Sequence, residues 1–289
     1  MSKDTVTIGL IQMSVGTDTS ANLEKAVKRI REAAKKGAEI VCLPELFRSE
    51  YFCKEEETEK FKLAETIPGE TTEALSKIAK ELGVVVIAGI FEKRARGLYH
   101  NSAVIIDADG SIAGKYRKMH IPDDPHFYEK FYFSPGDLGF KACQTRYGKV
   151  GILICWDQWY PEAARLTALL GAQIIFYPTA IGWLSGEETS SKDMEYAWET
   201  IQRSHGIANG VFIASVNRVG MEGNMRFWGS SFVSGPFGET LAKAGKDEEI
   251  LIAKCDMDRI DDTRHNWPFL RDRRIDAYKG IASRFLEDE

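Results

Sequence analysis

Short apolar segments alternate with amphipathic ones along almost the whole chain, a pattern typical of mixed α/β proteins. The apolar segments predict strands at residues 5–12, 39–43, 84–91, 101–107, 111–117, 149–154, 173–178, 211–217 and 249–256. Apolar residues at helical spacing predict helices at residues 71–82, 155–170 and 194–209, and an earlier helix that contains Leu23, Ala26, Val27, Ile30 and Ala34 and ends at Gly37.

Tight turns between neighbouring strands argue against a purely parallel sheet. Residues 107–110 read Asp-Ala-Asp-Gly between two predicted strands, and residues 236–238 are the turn of a second predicted hairpin. Strand–helix–strand units occur at residues 5–45 and again at 149–179, which indicates two similar halves. Since no linker or low-complexity tract separates them, we predict one α/β domain over residues 1–289, with mixed sheets packed face to face.

Composition and charge narrow the class of protein. Of 289 residues, 44% are hydrophobic and 28% are charged, and the net charge is −5 without a basic block. No apolar stretch approaches the roughly 20 residues that span a bilayer, so we expect neither membrane nor nucleic acid as a partner. Five scattered cysteines without a C-x-x-C pair, and an N-terminus without a signal-peptide layout, predict a cytoplasmic protein with no disulfide framework and no metal.

One cysteine stands where a strand gives way to a helix. Cys155 follows the apolar run 149–154, and Pro161 suits the first turn of the next helix. A thiol at such a junction can project from the sheet edge, near backbone N–H groups that stabilise a thiolate and later an oxyanion. Taken alone, however, a cysteine is more often a small buried apolar residue than a nucleophile.

Two further polar residues follow predicted strands. Glu45 comes at the end of the second strand and Lys118 at the end of a hairpin strand, and each alone is typical of a solvated charge. Together the segments 43–45 (Leu-Pro-Glu), 116–120 (Tyr-Arg-Lys-Met-His) and 155–157 (Cys-Trp-Asp) resemble, in this order, the nitrilase or carbon–nitrogen hydrolase superfamily. The resemblance extends over essentially the whole chain.

The resemblance implies a four-layer αββα sandwich and a catalytic set of Glu45, Lys118 and Cys155 that requires no metal or cofactor. The second glutamate of the family corresponds to Glu129, which would orient the other two charges or position the substrate amine. In this mechanism Glu45 takes the thiol proton and later passes it to the leaving amine. Lys118 and the backbone N–H of Trp156 stabilise the oxyanion, each by about 3 kcal/mol. Water then hydrolyses a thioester-like intermediate.

Histidine residues raise a rival hypothesis, a Cys–His hydrolase. His120 and His126 lie nearest to the lysine segment, but no local cysteine-protease signature surrounds Cys155. We therefore interpret His120 as a hydrogen-bonded structural residue.

Longer segments point to a substrate class. Residues 155–165, 176–182 and 129–137 resemble N-carbamoylputrescine amidases, a family that releases putrescine, carbon dioxide and ammonia in polyamine biosynthesis. The resemblance weakens at residues 183–188, where a longer sequence replaces the small and acidic residues usual in that family. A related hydrolase acting on an N-carbamoyl amino acid, an ω-amide or a nitrile is the alternative.

Candidate binding residues follow from this substrate class. Glu187 or Glu188 would receive the distal ammonium of a diamine, unless they form only a solvated acidic loop. Tyr51, Trp156 and Trp183 are candidate walls for its aliphatic chain, although aromatic residues more often belong to the core. An amino-acid substrate would instead need a basic residue that faces its carboxylate.

Two questions of class and assembly stay open. A non-catalytic scaffold that binds metabolites or partner proteins would be expected to lose one of the three catalytic residues, and this chain keeps all three. The resemblance also implies a homo-oligomer, a dimer or larger, that acts on a small-molecule substrate. We expect residues 265–289, with the charged run 271–274, to form a tail that packs on a partner subunit; a solvated terminus is the alternative.

Overall fold

The fold is described from a computed structural model that covers residues 5–186 and 188–287, without the side chains of residues 188–191. The strands are β1 (Thr5–Gln12), β2 (Ile40–Cys42), β3 (Val85–Ala95), β4 (Leu98–Ile106), β5 (Ile112–Arg117), β6 (Ala142–Thr145), β7 (Gly148–Ile152), β8 (Ile174–Thr179), β9 (Gly182–Leu184), β10 (Phe212–Asn217), β11 (Val219–Glu222), β12 (Met225–Trp228), β13 (Phe232–Ser234), β14 (Thr240–Lys243) and β15 (Glu249–Asp256). The α-helices are α1 (Thr19–Lys35), α2 (Glu70–Leu82), α3 (Glu129–Tyr132), α4 (Pro161–Leu169), α5 (Glu188–Asn209) and α6 (Asp258–Asn266).

The two large sheets share one arrangement of strands. The first has the order β15-β1-β2-β3-β4-β5 and the second the order β6-β7-β8-β10-β13-β14. In each sheet three neighbouring strands run parallel, β1-β2-β3 and β7-β8-β10, and antiparallel strands flank them on both sides. This confirms the prediction of mixed sheets and of two similar halves. A third, three-stranded antiparallel sheet has the order β11-β12-β9.

The large sheets pack face to face and carry helices on their outer faces. Ile8 and Leu10 on one face of β1 join an apolar cluster that includes Ile152 and other residues of the second sheet. Ile11 on the opposite face packs in a second cluster with Leu23 of α1. Helices α4 and α5 contact the second sheet. Burial of each such side chain contributes about 1.5–3 kcal/mol, and the layer order confirms the predicted αββα sandwich.

Helix α1 shows why the amphipathic pattern was informative. The Asp18 side chain caps its first turn by accepting hydrogen bonds from two backbone N–H groups. Leu23, Ala26 and Ile30 form its buried face, as their spacing predicts. The chain then turns at Gly37, where φ is 91°, a conformation that favours glycine.

The predicted helix over residues 155–170 consists of two elements. Cys155–Trp159 forms a 3-10 turn, Tyr160 is extended, and α4 begins at Pro161. Proline is favoured at this first position because it has no N–H to leave unpaired, which confirms the prediction for Pro161. Elements of three or four residues are too short to show a clear period. The sequence therefore did not predict strands β6, β9, β11 and β12 or helix α3. Helix α6 was not predicted either, because its sequence is almost wholly polar and only Ile260 is buried.

Beyond α6 the chain contributes little to its own core. Residues 267–287 contain two short 3-10 turns, and several large apolar side chains there are exposed, among them Trp267, Ile275, Ile281 and Phe285. None of the helices in the described part of the chain is both long and apolar enough to cross a membrane.

Candidate active site

Three strand ends and one short helix bring four predicted residues together. Glu45 follows β2, Lys118 follows β5, Cys155 follows β7, and Glu129 is the first residue of α3. The Lys118 ammonium donates to Glu45 Oε1 at 2.8 Å and to the two carboxylate oxygens of Glu129 at 2.9 and 2.7 Å. All four side chains are buried, and the thiol lies close enough for the other three charges to influence its pKa. The fold therefore gathers the predicted Glu–Lys–Cys–Glu set.

Three further groups donate hydrogen bonds to the carboxylates of Glu45 and Glu129. The sequence did not predict this role for any of them. Asn101 Nδ2 donates to Glu45 Oε1 at 2.7 Å, and the backbone N–H of Ala180 donates to Glu45 Oε2 at 2.9 Å. The Tyr51 hydroxyl donates to Glu129 Oε1 at 2.8 Å. A buried carboxylate needs such donors, because an unpaired charge removed from water is strongly destabilising. The one sequence signal for Asn101 was a polar residue at the start of an apolar run.

Two glycines allow the backbone to come close to the cluster. A Cβ at Gly89 of β3 would lie 2.7 Å from the amide nitrogen of Leu46 and 3.2 Å from the Cα of Glu45. A Cβ at Gly136 would lie 2.1 Å from the carbonyl oxygen of Arg117, the residue before Lys118. Any larger side chain would displace Glu45 or Lys118, which explains the need for glycine at both positions.

Cys155 adopts a backbone conformation that is uncommon for a residue with a side chain. Its φ is 43°, in the left-handed region. Asp157, fully buried, maintains this turn by accepting hydrogen bonds from Ile154 N at 2.9 Å and from the Tyr116 hydroxyl at 2.8 Å. The thiol contacts the carbonyl oxygen of Ala180 at 3.9 Å. The turn thereby fixes the direction of the thiol.

His120 belongs to the support of this turn. Its backbone N and its Nδ1 lie 3.0 and 2.7 Å from Asp157 Oδ1, and its ring stacks on Tyr160 with a centroid distance of 3.7 Å. These contacts agree with the structural interpretation of His120. They also tie the segment after Lys118 to the turn that carries Cys155.

An apolar cavity of about 420 Å³ opens next to the cluster and is lined by both Cys155 and Glu129. The predicted walls Trp156 and Trp183 line it. Tyr51 does not line this cavity, so the prediction that it forms a wall is corrected: its hydroxyl is directed to Glu129.

The acidic residues predicted to receive a distal ammonium, Glu187 and Glu188, cannot be placed against the cavity. Glu187 lies outside the described residues, and so does the side chain of Glu188. Besides Cys155 and Glu129, the titratable side chains in the described lining are Asp124 and His126. The sequence had not singled out Asp124.

Burial and mutual charge set the protonation of the cluster. Burial raises the pKa of the Cys155 thiol well above its usual range, the Glu45 charge raises it further, and Lys118 opposes both. Burial also raises the pKa of Glu129 to about 7, against the stabilising charge of Lys118. Burial alone would lower the pKa of Lys118, but Glu129 and Glu45 outweigh it and raise that pKa. The thiol therefore keeps its proton until a base removes it.

An αββα sandwich with a buried cysteine, lysine and two glutamates has the architecture expected of a carbon–nitrogen hydrolase. The sequence model of the carbon-nitrogen hydrolase family matches residues 7–265, and this chain belongs to that family. It is thus a hydrolase of carbon–nitrogen bonds other than peptide bonds, which confirms the predicted family, fold and enzyme class over the non-catalytic scaffold. No group of three His, Cys, Asp or Glu side chains in the described residues is arranged to bind a metal ion.

Individual relatives are similar along almost their entire length. An N-carbamoylputrescine amidase from Solanum lycopersicum is 46% identical over 288 residues, which cover 96% of this chain and 95% of that protein. A citrullinase from Francisella tularensis is 40% identical, with 97% and 99% covered. The crystal structure of a carbon-nitrogen hydrolase from Helicobacter pylori superimposes with a TM-score of 0.95 at 49% identity, covering 98% of this chain and all of that chain.

The raised pKa of Glu129 predicts a pH dependence of stability. The pKa is about 7 in the folded protein and near 4.5 in the unfolded chain, so only the folded state holds this proton between these values. The contribution of Glu129 to the free energy of unfolding is therefore full below about pH 4.5 and lost as the pH rises through 7. As the pH rises from about 5 to about 8, the free energy of unfolding should fall less in Glu129→Gln than in the wild type. Urea unfolding at each pH measures this quantity.

Glu248→Gln provides the control for this experiment. Hydrogen bonds from Lys25 and Ser14 outweigh the partial burial of Glu248 and lower its pKa to about 2, so its proton is absent across the tested range. This variant should keep the wild-type slope of stability against pH. Parallel slopes for Glu129→Gln and the wild type would contradict the prediction.

Proposed function

We propose that this enzyme hydrolyses N-carbamoylputrescine to putrescine, carbon dioxide and ammonia, and so serves polyamine biosynthesis. The observation that carries the proposal is the buried Lys118 between Glu45 and Glu129, next to a thiol that lines an apolar cavity. The similarity to the N-carbamoylputrescine amidase from Solanum lycopersicum supports the choice of substrate. Five free cysteines support a location in the reducing cytoplasm.

The first half of the reaction forms a covalent intermediate at Cys155. Glu45 takes the thiol proton as the sulfur attacks the carbamoyl carbon and the C=O electron pair moves to oxygen. Lys118 and the backbone N–H of Trp156 stabilise this oxyanion, each by about 3 kcal/mol. When the tetrahedral intermediate collapses, one C–N bond breaks and the leaving nitrogen takes the proton from Glu45. The product is an amine and a carbamoyl thioester.

The second half of the reaction regenerates the thiol. Glu45 takes a proton from water, the hydroxide attacks the thioester carbon, and the C–S bond breaks with return of the proton to Cys155. The released carbamic acid separates into carbon dioxide and the second amine. One water is consumed for each carbamoyl group, and either nitrogen can leave first in this balance. Glu129, held by Tyr51, positions Lys118 throughout.

The cavity favours a diamine over an amino acid. Its walls include Trp156, Trp183 and other apolar side chains that suit a four-carbon chain, and Asp124 offers a carboxylate to a distal ammonium. Among the described lining residues there is no Lys or Arg to face a substrate carboxylate. Glu187 and Glu188 remain predicted ligands of the same ammonium.

A second candidate substrate is an N-carbamoyl amino acid. The relative from Francisella tularensis is a citrullinase, and citrulline carries a carbamoyl group on a short aliphatic chain that ends in an amino acid. Its distal end bears a carboxylate as well as an ammonium, and the described lining holds no Lys or Arg that would pair with that carboxylate.

Replacement of the thiol tests the mechanism. We expect Cys155→Ala to lower kcat/KM at least about 10³-fold, because no covalent intermediate can form. Cys255→Ala is the matched control, since Cys255 is equally buried but lies in β15 outside the cluster. Ammonia release measures the rate, and circular dichroism confirms that both variants fold. Full hydrolysis by folded Cys155→Ala would show that the mechanism is wrong.

A substrate panel tests the specificity. We expect turnover of N-carbamoylputrescine to exceed that of citrulline, a linear ω-amide acid and a nitrile, as scored by ammonia release. Asp124→Asn should raise KM for N-carbamoylputrescine by roughly two- to fivefold, the value of an exposed ion pair. Asp123→Asn is the control, because Asp123 is also exposed but does not line the cavity. Good turnover of citrulline without turnover of N-carbamoylputrescine would favour the second candidate.

We further propose that the enzyme is a homo-oligomer in which residues 265–289 pack on a partner subunit. Helix α4 exposes Leu166 and Leu169, each by more than two fifths, next to α5, which exposes Tyr196 by 73%. The tail exposes Phe285 by 82%. Apolar surface of this extent is typical of an interface, and a second copy can cover it symmetrically.

Light scattering of the purified chain tests the assembly. We expect a mass of at least two chains, and a shift toward the monomer in Leu169→Glu and in Phe285→Glu, because a buried charge weakens an apolar interface. Ile112→Glu, an exposed apolar position on β5, should leave the mass unchanged. A wild-type monomer at micromolar concentration would contradict the proposal.

A further inference from the structure

A buried ion pair outside the catalytic set contacts the backbone segment that follows Glu45. Arg218, between β10 and β11, and Glu222, the last residue of β11, are 0% and 1% exposed. Arg218 Nη1 donates to Glu222 Oε1 at 2.8 Å. Two apolar side chains of similar size would stabilise a fold as well or better, because burial removes both charges from water. The burial of this pair is therefore not by itself explained by stability, and its other contacts are informative.

The guanidinium of Arg218 holds the backbone that carries Glu45. Its Nη2 donates to the carbonyl oxygens of Glu45 at 2.7 Å and Leu46 at 3.0 Å, and its Nη1 donates to that of Ser49 at 3.2 Å. Leu46 has a φ of 47°, a left-handed conformation that is unfavourable for leucine. The fork of Arg218 thus stabilises a strained segment at the residue next to Glu45.

The carboxylate of Glu222 holds the other end of the same segment. Its Oε2 accepts a hydrogen bond from the backbone N–H of Tyr51 at 2.6 Å. The hydroxyl of Tyr51 in turn donates to Glu129 at 2.8 Å. One ion pair therefore fixes residues 45–51 at both ends, and each end leads to one of the two carboxylates that surround Lys118.

Asn217, the residue before Arg218, holds the backbone next to Ala180, whose N–H donates to the Glu45 carboxylate. Asn217 Oδ1 accepts from the backbone N–H of Ile181 at 3.1 Å, and its Nδ2 donates to the Ile181 carbonyl at 3.0 Å. The neighbouring Ala180 N–H is the donor to Glu45 Oε2. The end of β10 therefore holds Glu45 from two directions.

We propose that Arg218, together with Glu222, is a positioning residue for the hydrolysis and sets the places of Glu45 and Glu129 around Lys118. This inference rests on the proposed role of Glu45 as the base that activates Cys155. Arg218 touches neither the cavity nor the thiol, so it acts through the backbone of residues 45–51. A lysine would keep the charge, but its single nitrogen lacks the planar fork with which Arg218 reaches Glu222 and the carbonyl oxygens from two nitrogens.

Arg218→Lys is the main test, with Glu222→Gln as a second variant that keeps one acceptor oxygen. We expect kcat to fall by roughly 10²-fold in Arg218→Lys, the effect of a misplacement of about 1 Å, with KM within about threefold of the wild type. Glu222→Gln should lower kcat less. The rate of Cys155 alkylation by iodoacetamide, followed by mass spectrometry of its peptide, should fall in parallel with kcat, since Glu45 must deprotonate the thiol.

Arg203→Lys is the matched control. Arg203 also contacts a backbone carbonyl and a glutamate, Gly238 O at 2.7 Å and Glu199 at 3.4 Å, but it lies on α5 away from Glu45. This variant should keep wild-type kcat and alkylation rate.

The outcomes separate the positioning role from a purely structural one. If folded Arg218→Lys shows a lower Tm but an unchanged kcat and alkylation rate, the pair is only structural and the inference is overturned. If no substrate of the panel is turned over by the wild type, the proposed function fails, and the alkylation rates of the wild type, Arg218→Lys and Arg203→Lys still decide the inference.

Discussion

The rest of the site depends on the buried ammonium of Lys118. A cation removed from water loses its charge unless anions compensate it, and Glu45 and Glu129 do so at hydrogen-bond distance. Those carboxylates are buried as well, so they require their own donors, which Asn101 and Tyr51 supply. Because each of these groups is hydrogen-bonded to another, the cluster acts as one connected network.

The network is divided between the two sheets. Glu45 and Lys118 follow strands of the first sheet, whereas Cys155 follows a strand of the second, and the end of β10 in the second sheet holds the Glu45 segment through Arg218. No single strand–helix unit contains the site. Only the packing of one sheet against the other brings Glu45, Lys118 and Cys155 together, so the geometry of the site requires the packed αββα core.

In the proposed function, chemistry and substrate choice belong to different residues of the cavity. Cys155 and Glu129 line the cavity, and the reaction proposed for them applies to any compound with a carbamoyl or amide carbon. Relatives that are 46% and 40% identical to this chain act as an N-carbamoylputrescine amidase and a citrullinase, so overall similarity does not separate the two substrates. Asp124 also lines the cavity, and in the proposed function its carboxylate is what favours an ammonium over a carboxylate.

The sequence by itself determined the longer elements and which four side chains to expect at the site. Periodicity reports local burial, so it located β1, α1 and the hairpins, and the order of motifs identified Glu45, Lys118, Cys155 and Glu129. It could not predict that the Tyr51 hydroxyl binds Glu129, that Arg218 binds the carbonyl of Glu45, or that Asp124 lines the cavity. These contacts join residues as many as 173 positions apart, and whether a polar side chain is buried depends on which distant surfaces exclude water from it. Only the tertiary structure decides that.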